Sequence, residues 1–334
     1  MLRYAIAGCG YVSKLHFKAL SQIADARIVA TADLHADLRQ KRADEFGVPQ
    51  TFDTLEAMLD GAEFDVLVLL TPTHLHLGHA ALAARNGCAV LIEKPLAPTV
   101  AESRQIIEAY AASGSRLGVL HSSRYFSHCR WARDFFRDGT LGRPLTIDFL
   151  AHLPVERPES YDPRFWRHRP GARGHGICIN TFSHWTDMAR YVTGAEAVHV
   201  HAVVQNFFSQ GIIPEDQATV TVLFQGGTVL SWRYMTGENE LHGQQSITYF
   251  GSRGRLVTRD IWGGVAELFV GGERRELRPD PPVVPHNWIA MHKEFLRAIE
   301  TGDEMPVTAD DGLAAVRVSE AVYESAATGR VIEL

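Results

Sequence analysis

Cysteine is scarce: the 334 residues hold four, at positions 9, 88, 129 and 178, with no Cys-x-x-Cys spacing. They read as free thiols of a reducing compartment, the cytoplasm. Long apolar runs are also missing. Val66–Leu70 is typical of the longest, far short of the ~20 residues that span a bilayer, so no membrane association is expected. The opening run Leu2–Ala7 ends in glycines rather than in a cleavage site and reads as a strand, not a leader. Basic charge is not in excess: 33 Lys and Arg against 39 Asp and Glu leave a net −6, which argues against a broadly basic nucleic-acid binder. Internal repeats and low-complexity linkers are lacking too. What remains is ordinary globular composition, 46% hydrophobic and 22% charged, with a length that implies about two domains.

The first part alternates strand and helix. Leu2–Ala7, Arg27–Ala32, Asp65–Leu70, Ala89–Ile92 and Arg116–Leu120 read as buried strands. Between them, Lys14–Ile23, Leu34–Phe46, Thr54–Leu59, His76–Arg85 and Val100–Ala112 read as helices, two of them stopped by Gly47 and Gly114. Crossovers of that length require a parallel sheet, so residues 1–120 form a Rossmann-type, doubly wound α/β domain. The second part changes texture. Leu145–Leu153, Ala197–Phe208, Gln217–Phe224, Thr228–Met235, Gln245–Phe250 and Arg255–Arg259 are strands with short Gly-rich connections. One helix over Ile177–Val192 interrupts them, and Asn287–Glu300 and Ala309–Thr328 close the chain. Residues 121–334 therefore form an α+β domain with a large, mainly antiparallel open sheet.

Gly8-Cys9-Gly10-Tyr11-Val12-Ser13 joins the first strand to the first helix. Gly8 allows a tight turn, Gly10 lets a pyrophosphate approach the backbone, and the helix N-terminus offers N–H groups and positive dipole. Ser13 stands where a third glycine is usual. Asp33 follows the second strand and can accept from the adenosine ribose hydroxyls, which favours NAD over NADP. Arg39, Lys41 and Arg42 lie nearby on a solvated helix face. Thr71-Pro72-Thr73-His74-Leu75-His76 and Glu93-Lys94-Pro95 follow two further strands at the same sheet edge.

Together with Trp166-Arg167, Gly174-His175-Gly176, Asn180, His184, Asp187 and the closing Pro306-Val307-Thr308, these motifs resemble the Gfo/Idh/MocA family of nicotinamide-dependent sugar and cyclitol oxidoreductases. The resemblance implies that Lys94 contacts the reacting hydroxyl and that the Lys94-Pro95 bond is cis. It also implies that His184 is the general acid/base. NAD would contact Gly8, Gly10, Tyr11, Val12, Asp33, Thr71, Pro72, His76, Glu93 and Lys94. Substrate would meet Lys94, Arg124, Tyr125, Trp166, Arg167, Arg173, Asn180 and His184. Position 180 departs from the family's aspartate; an amide hydrogen-bonds a hydroxyl but takes no proton. The spacing from 180 to 184 puts Asn180 and His184 on one helix face. Phe182 replaces a family glycine and predicts a bulkier pocket.

The remaining candidates have plainer readings beside the functional ones. His74, His76 and His79 do not present three rings to one point, so no metal is expected. Arg164, Arg167, Arg169 and Arg173 either bind an anionic substrate group or form structural ion pairs. Trp232 and Tyr234 share one strand face and read as sheet packing or a subunit interface rather than sugar stacking. The leading function is NAD-dependent hydride transfer at a secondary alcohol or ketone carbon of a sugar, cyclitol or derivative. Two others stand beside it: an NAD- and sugar-sensing regulator without catalysis, and a glycosidase-like enzyme using bound NAD. The partners are a carbohydrate-like small molecule and further copies of the chain, as a homodimer or homotetramer through the C-terminal sheet.

Overall fold

The computed structural model of the chain describes residues 1–154, 166, 173–174, 176–208, 213–237, 244–259, 261–262 and 264–334. They form two compact units, one of Met1–Ser122 with Pro285–Leu313, the other of Ser123–Val284 with Ala314–Leu334. The linear reading places everything after residue 120 in the second domain; by contact, Pro285–Leu313 groups with the first unit.

In the first unit the strands are β1 (Leu2–Ala7), β2 (Ala26–Ala32), β3 (Gln50–Phe52), β4 (Val66–Leu69), β5 (Ala89–Glu93) and β6 (Leu117–Leu120). The helices between them are α1 (Ser13–Leu20), α2 (Ala36–Phe46), α3 (Leu55–Gly61), α4 (His76–Arg85) and α5 (Val100–Ser113). The sheet is parallel throughout, in the order β3-β2-β1-β4-β5-β6. That order reverses between β1 and β4, the place where doubly wound sheets open a crevice for ligands. Ala7 pairs with Ala32 and Leu69, and Leu69 pairs with Ile92, so the loops after β1, β2, β4 and β5 leave the sheet side by side. Gly47 ends α2 at φ +66° and Gly114 ends α5 at φ +70°, the left-handed stop that suits glycine.

The second unit holds α6 (Ser127–Arg137), β7 (Pro144–Pro154), α7 (Ile177–Asn180), α8 (Phe182–Thr193), β8 (Ala197–Gln205), β9 (Gln217–Phe224), β10 (Val229–Gly237), β11 (Gln244–Gly251), β12 (Gly254–Thr258), β13 (Ala266–Val270) and β14 (Glu273–Leu277). The chain then continues through α9 (Val283–Thr301), α10 (Ala309–Thr328) and β15 (Ile332–Glu333). The nine-stranded sheet runs β14-β13-β12-β11-β7-β10-β9-β8-β15. All its pairs are antiparallel except β7 with β10. Phe149, Val220, Val222, Phe224, Trp232 and Tyr249 alternate onto one face and form a core with Phe182, Trp185 and Met188 of α8. On the other face of β9, Thr219 and Thr221 are exposed and Leu223 is half-buried.

α9 returns to the first unit for a physical reason. Phe295 lies on β6 where Gly118 leaves room: a Cβ at Gly118 would stand 2.4 Å from Phe295 Cε1. Beyond α9, Val307 O accepts the Val119 N–H at 3.1 Å. The helix expected over Ile177–Val192 is in two pieces. Ser183 Oγ donates to Asn180 O at 3.1 Å and the His184 N–H turns to Thr181 O at 3.2 Å, so a side chain competes with the helical ladder at the junction.

Candidate functional site

In the first unit, the glycine loop is shaped by contacts that only these residues allow. Gly8 has φ +102°, and a Cβ there would stand 2.7 Å from Leu70 O. Nothing lies within 4 Å of the place a Gly10 Cβ would take. Tyr11 is exposed and Val12 half-buried. Ser13, at the position of the missing third glycine, donates from Oγ to Gly10 O at 2.6 Å and accepts from Arg42 Nε at 3.1 Å. No side chain caps the N-terminus of α1, which leaves its first N–H groups for an anion. Asp33 Oδ2 accepts the Cys9 N–H at 2.7 Å, and Oδ1 accepts the His35 N–H at 2.8 Å. Its carboxylate therefore braces the loop and keeps further lone pairs for a ribose. Arg39 pairs with Asp53 and donates to Asp33 O at 3.0 Å. An open glycine, an uncapped helix end and a fixed carboxylate fit a dinucleotide.

The other strand ends meet the same edge. Thr71, Pro72, Glu93 and Lys94 are half-buried, and the Lys94-Pro95 peptide is cis, as the resemblance implied. His76 is buried, with its ring nitrogens 2.9 Å from Thr71 O and 3.1 Å from both Pro95 O and Leu96 O. The imidazole thus staples the segment after β4 to the segment after β5. His79 Nδ1 meets Thr71 Oγ1 at 3.0 Å. Among the described residues no cluster of His, Cys, Asp or Glu could hold a metal ion.

In the second unit, Ile177–Ile179, Phe182, Ser183 and Trp185–Ala189 are buried, while Asn180, Thr181 and His184 between them are half-exposed. Asn180 and His184 therefore share the side turned away from the core. Behind them the helix is tied down twice. Asp187 accepts from Arg124 Nε at 2.8 Å and from Arg124 Nη2 at 2.6 Å, a bidentate pair that is wholly buried on the Asp side. Ser123 Oγ donates to His184 O at 3.1 Å. Under α7, Glu215 Oε1 accepts the Cys178 N–H at 2.8 Å and the Tyr323 hydroxyl at 2.7 Å. Burial pushes the Glu215 carboxyl above its ordinary pKa, against the pull of those hydrogen bonds. A Cβ on Gly176 would lie 2.3 Å from Glu215 Oε1.

Several sequence-based expectations meet the coordinates here. Phe182, whose replacement of a glycine predicted a bulkier pocket, does not add its bulk to one: it is fully buried and its ring lies 4.7 Å from that of Trp232. Trp232 is buried with Tyr234 5.6 Å away, as sheet packing predicts. Tyr125 is buried beneath the Arg130 guanidinium, 4.6 Å from the ring centroid. Trp166 is half-buried and Arg173 exposed; Arg164, Arg167, Arg169 and His175 lie outside the described residues. Sequence reading missed Glu215 and Tyr323. The one local signal for them is the glycine at 176, whose missing side chain makes their space.

Comparison with known proteins supplies the class. The family described as "Oxidoreductase family, NAD-binding Rossmann fold" matches residues 2–121, and the "GFO/IDH/MocA C-terminal domain" matches residues 129–257. The chain belongs to the Gfo/Idh/MocA oxidoreductase family, and its first unit is that family's NAD-binding domain. Inositol 2-dehydrogenase of Rhizobium meliloti (strain 1021) is 28% identical over 346 residues, covering 100% of this chain and 99% of that protein. D-apiose dehydrogenase of Paraburkholderia graminis is 25% identical, over 99% of this chain and 89% of its own. The crystal structure of aldose-aldose oxidoreductase from Caulobacter crescentus, complexed with glycerol, is 27% identical with a TM-score of 0.86, covering 100% and 99% of the two chains.

Proposed function

We propose that the protein is an NAD-dependent oxidoreductase acting on a CH–OH carbon of a sugar, cyclitol or sugar derivative. His184 is the general acid/base and Lys94 stabilises the alkoxide. The observation that carries this reading is the placement of Lys94 at the end of β5, at the sheet edge shared by the glycine loop and Asp33. The named relatives, an inositol 2-dehydrogenase and a D-apiose dehydrogenase, support the substrate class.

Gly8, Gly10, Tyr11 and Val12 would hold the pyrophosphate at the N-terminus of α1, and Asp33 would bind the ribose hydroxyls. When bound, NAD supplies a hydride acceptor at nicotinamide C4. His184 takes the hydroxyl proton; an unperturbed imidazole titrates near ~6.5, which suits proton transfer around neutrality. The Lys94 ammonium holds the oxygen as its negative charge develops. Asn180 would offer the substrate an amide, able to donate and accept but not to take a proton. Trp166, Arg167 and Arg173 are further candidates for substrate contact that the family resemblance implies. The reducing cytoplasm is the compartment that four free thiols favour, and among the described residues no helix is long and apolar enough to cross a membrane. The open sheet face bearing Thr219 and Thr221 pairs copies of the chain as a homodimer or homotetramer; a monomer on sizing at micromolar concentration refutes this.

His184→Ala lowers turnover of the best substrate in a sugar and cyclitol panel roughly 10²–10⁴-fold, and unchanged turnover defeats the assignment. Asn180 favours one second reading, a regulator that binds NAD and sugar without turnover. That reading holds if the protein binds NAD and oxidises nothing in the panel.

A further inference from the structure

Behind Lys94 lies a row of ionisable side chains that the proposed chemistry leaves unused. Glu93 Oε2 accepts the Lys94 backbone N–H at 3.0 Å, and Glu93 Oε1 lies 3.3 Å from His16 Nε2. His16 Nδ1 lies 2.9 Å from His292 Nε2, with the two rings edge to face and their centroids 5.2 Å apart. Both rings are fully buried. They come from α1 and α9, 276 residues apart, and all three side chains belong to the first unit.

The contacts admit a direction that runs from His292 through His16 to Glu93. A carboxylate only accepts, so His16 Nε2 carries the proton in the bond to Glu93. With that proton on Nε2, the His16 Nδ1 lone pair accepts the His292 Nε2–H. Burial, with His16 alongside, holds His292 well below the ordinary imidazole pKa, so its ring is neutral and donates through one nitrogen. His292 Nδ1 has no hydrogen-bond partner among the described residues. Burial works against the Glu93 carboxylate. The His16 hydrogen bond, with Lys94 and His121 nearby, more than offsets it and holds Glu93 below its ordinary value.

We propose that His16 and His292 are positioning residues for Lys94: they hold Glu93 in one orientation, and Glu93 fixes the backbone from which the lysine ammonium projects. This rests on the reading of Lys94 as the group that stabilises the alkoxide. Without the His292 donor, His16 Nδ1 becomes a buried unpaired acceptor. The ring gains by moving its proton to Nδ1, which turns the Nε2 lone pair toward the Glu93 carboxylate and drives that carboxylate from its place. Lys94 moves with it, and small misplacements of a catalytic group carry large rate penalties.

The test pairs two variants with a measurement on the unmodified protein. His292→Leu removes the donor and keeps apolar bulk; His292→Gln returns an N–H near the Nε2 position. His292→Leu lowers kcat roughly 10–100-fold while the NAD dissociation constant, read from cofactor fluorescence, changes by less than about twofold, and His292→Gln recovers most of kcat. Nitrogen-15 NMR of the unmodified protein shows the His16 ring with its proton on Nε2 and Nδ1 unprotonated. A folded His292→Leu with wild-type kcat overturns the proposal, as does His16 carrying its proton on Nδ1, or His292→Gln performing no better than His292→Leu. Lys94→Ala separates this idea from the one beneath it. If Lys94→Ala keeps wild-type turnover, the reading of Lys94 fails; if it abolishes turnover while His292→Leu does not, only the positioning role fails.

Discussion

Gly176→Ala isolates one contact under the helix that carries Asn180 and His184. Gly176 has φ −62° and ψ 159°, an extended conformation open to any residue, so backbone strain plays no part. The added Cβ would stand 2.3 Å from Glu215 Oε1 and 2.6 Å from both Glu215 Oε2 and the Tyr323 hydroxyl oxygen. Something must move, and the surroundings are closed: Glu215 is 1% exposed. If the carboxyl stays, overpacking costs about 1–3 kcal/mol. If it moves, the Cys178 N–H and the Tyr323 hydroxyl lose their acceptor, at about 1–3 kcal/mol for each buried group left unpaired. The two outcomes are alternatives and the structure takes the cheaper, so the net loss is about 1–3 kcal/mol. Urea unfolding followed by tryptophan fluorescence should show it as a lower midpoint with an unchanged slope. The decisive control is Gly176→Ala placed in a Glu215→Ala, Tyr323→Phe background, where the space is open. There the same substitution should cost under about 0.5 kcal/mol, since the coupling is pairwise. An equal cost in both backgrounds refutes the reasoning.

Other outcomes follow from the same coordinates. Asp187→Asn leaves the buried Arg124 guanidinium without its carboxylate and destabilises the second unit by about 3–5 kcal/mol on chemical unfolding. Glu215→Gln should be best tolerated at high pH. The folded carboxyl titrates above 4.5, so the native state holds its proton longer than the unfolded chain and wild-type stability falls as pH rises through that range. The variant escapes this loss, and its stability relative to wild type rises between acidic and mildly alkaline urea titrations; a flat difference contradicts the linkage. Asp33→Ser removes the carboxylate that disfavours a 2′-phosphate, and raises kcat/KM with NADP relative to NAD; an unchanged ratio assigns cofactor choice elsewhere.

What the sequence disclosed depended on how local each signal was. The parallel sheet was legible because its strands are apolar runs between helices with glycine stops, and the glycine loop because its turn and helix are contiguous. β3 escaped notice because three residues carry no period. β14, Glu273–Leu277, escaped because it is charged along most of its length. α6 went unseen between a strand and a loop although His128, Cys129 and Ala132 bury one face of it. At the site, the four-residue step from Asn180 to His184 predicts one continuous helix face, but the helix divides at Thr181 between them, a break set by Ser183 Oγ bonding to Asn180 O that no period in the sequence reports. Glu93, His16 and His292 could not be joined from sequence, since no local pattern reports a contact across 276 residues.

The seating of Phe295 on Gly118 sets a schedule for biosynthesis. The first unit is incomplete until its last segment, Pro285–Leu313, has been made. At 5–20 residues per second, translation from Ser122 to Leu313 takes about 10–40 s. Throughout that interval the nascent sheet has an uncovered apolar strip along β6, while the whole of the second unit's nine-stranded sheet except its last short strand is already being synthesised. The dinucleotide-binding half is first off the ribosome and among the last to close, and that window is where chaperone dependence and misassembly of this chain should concentrate.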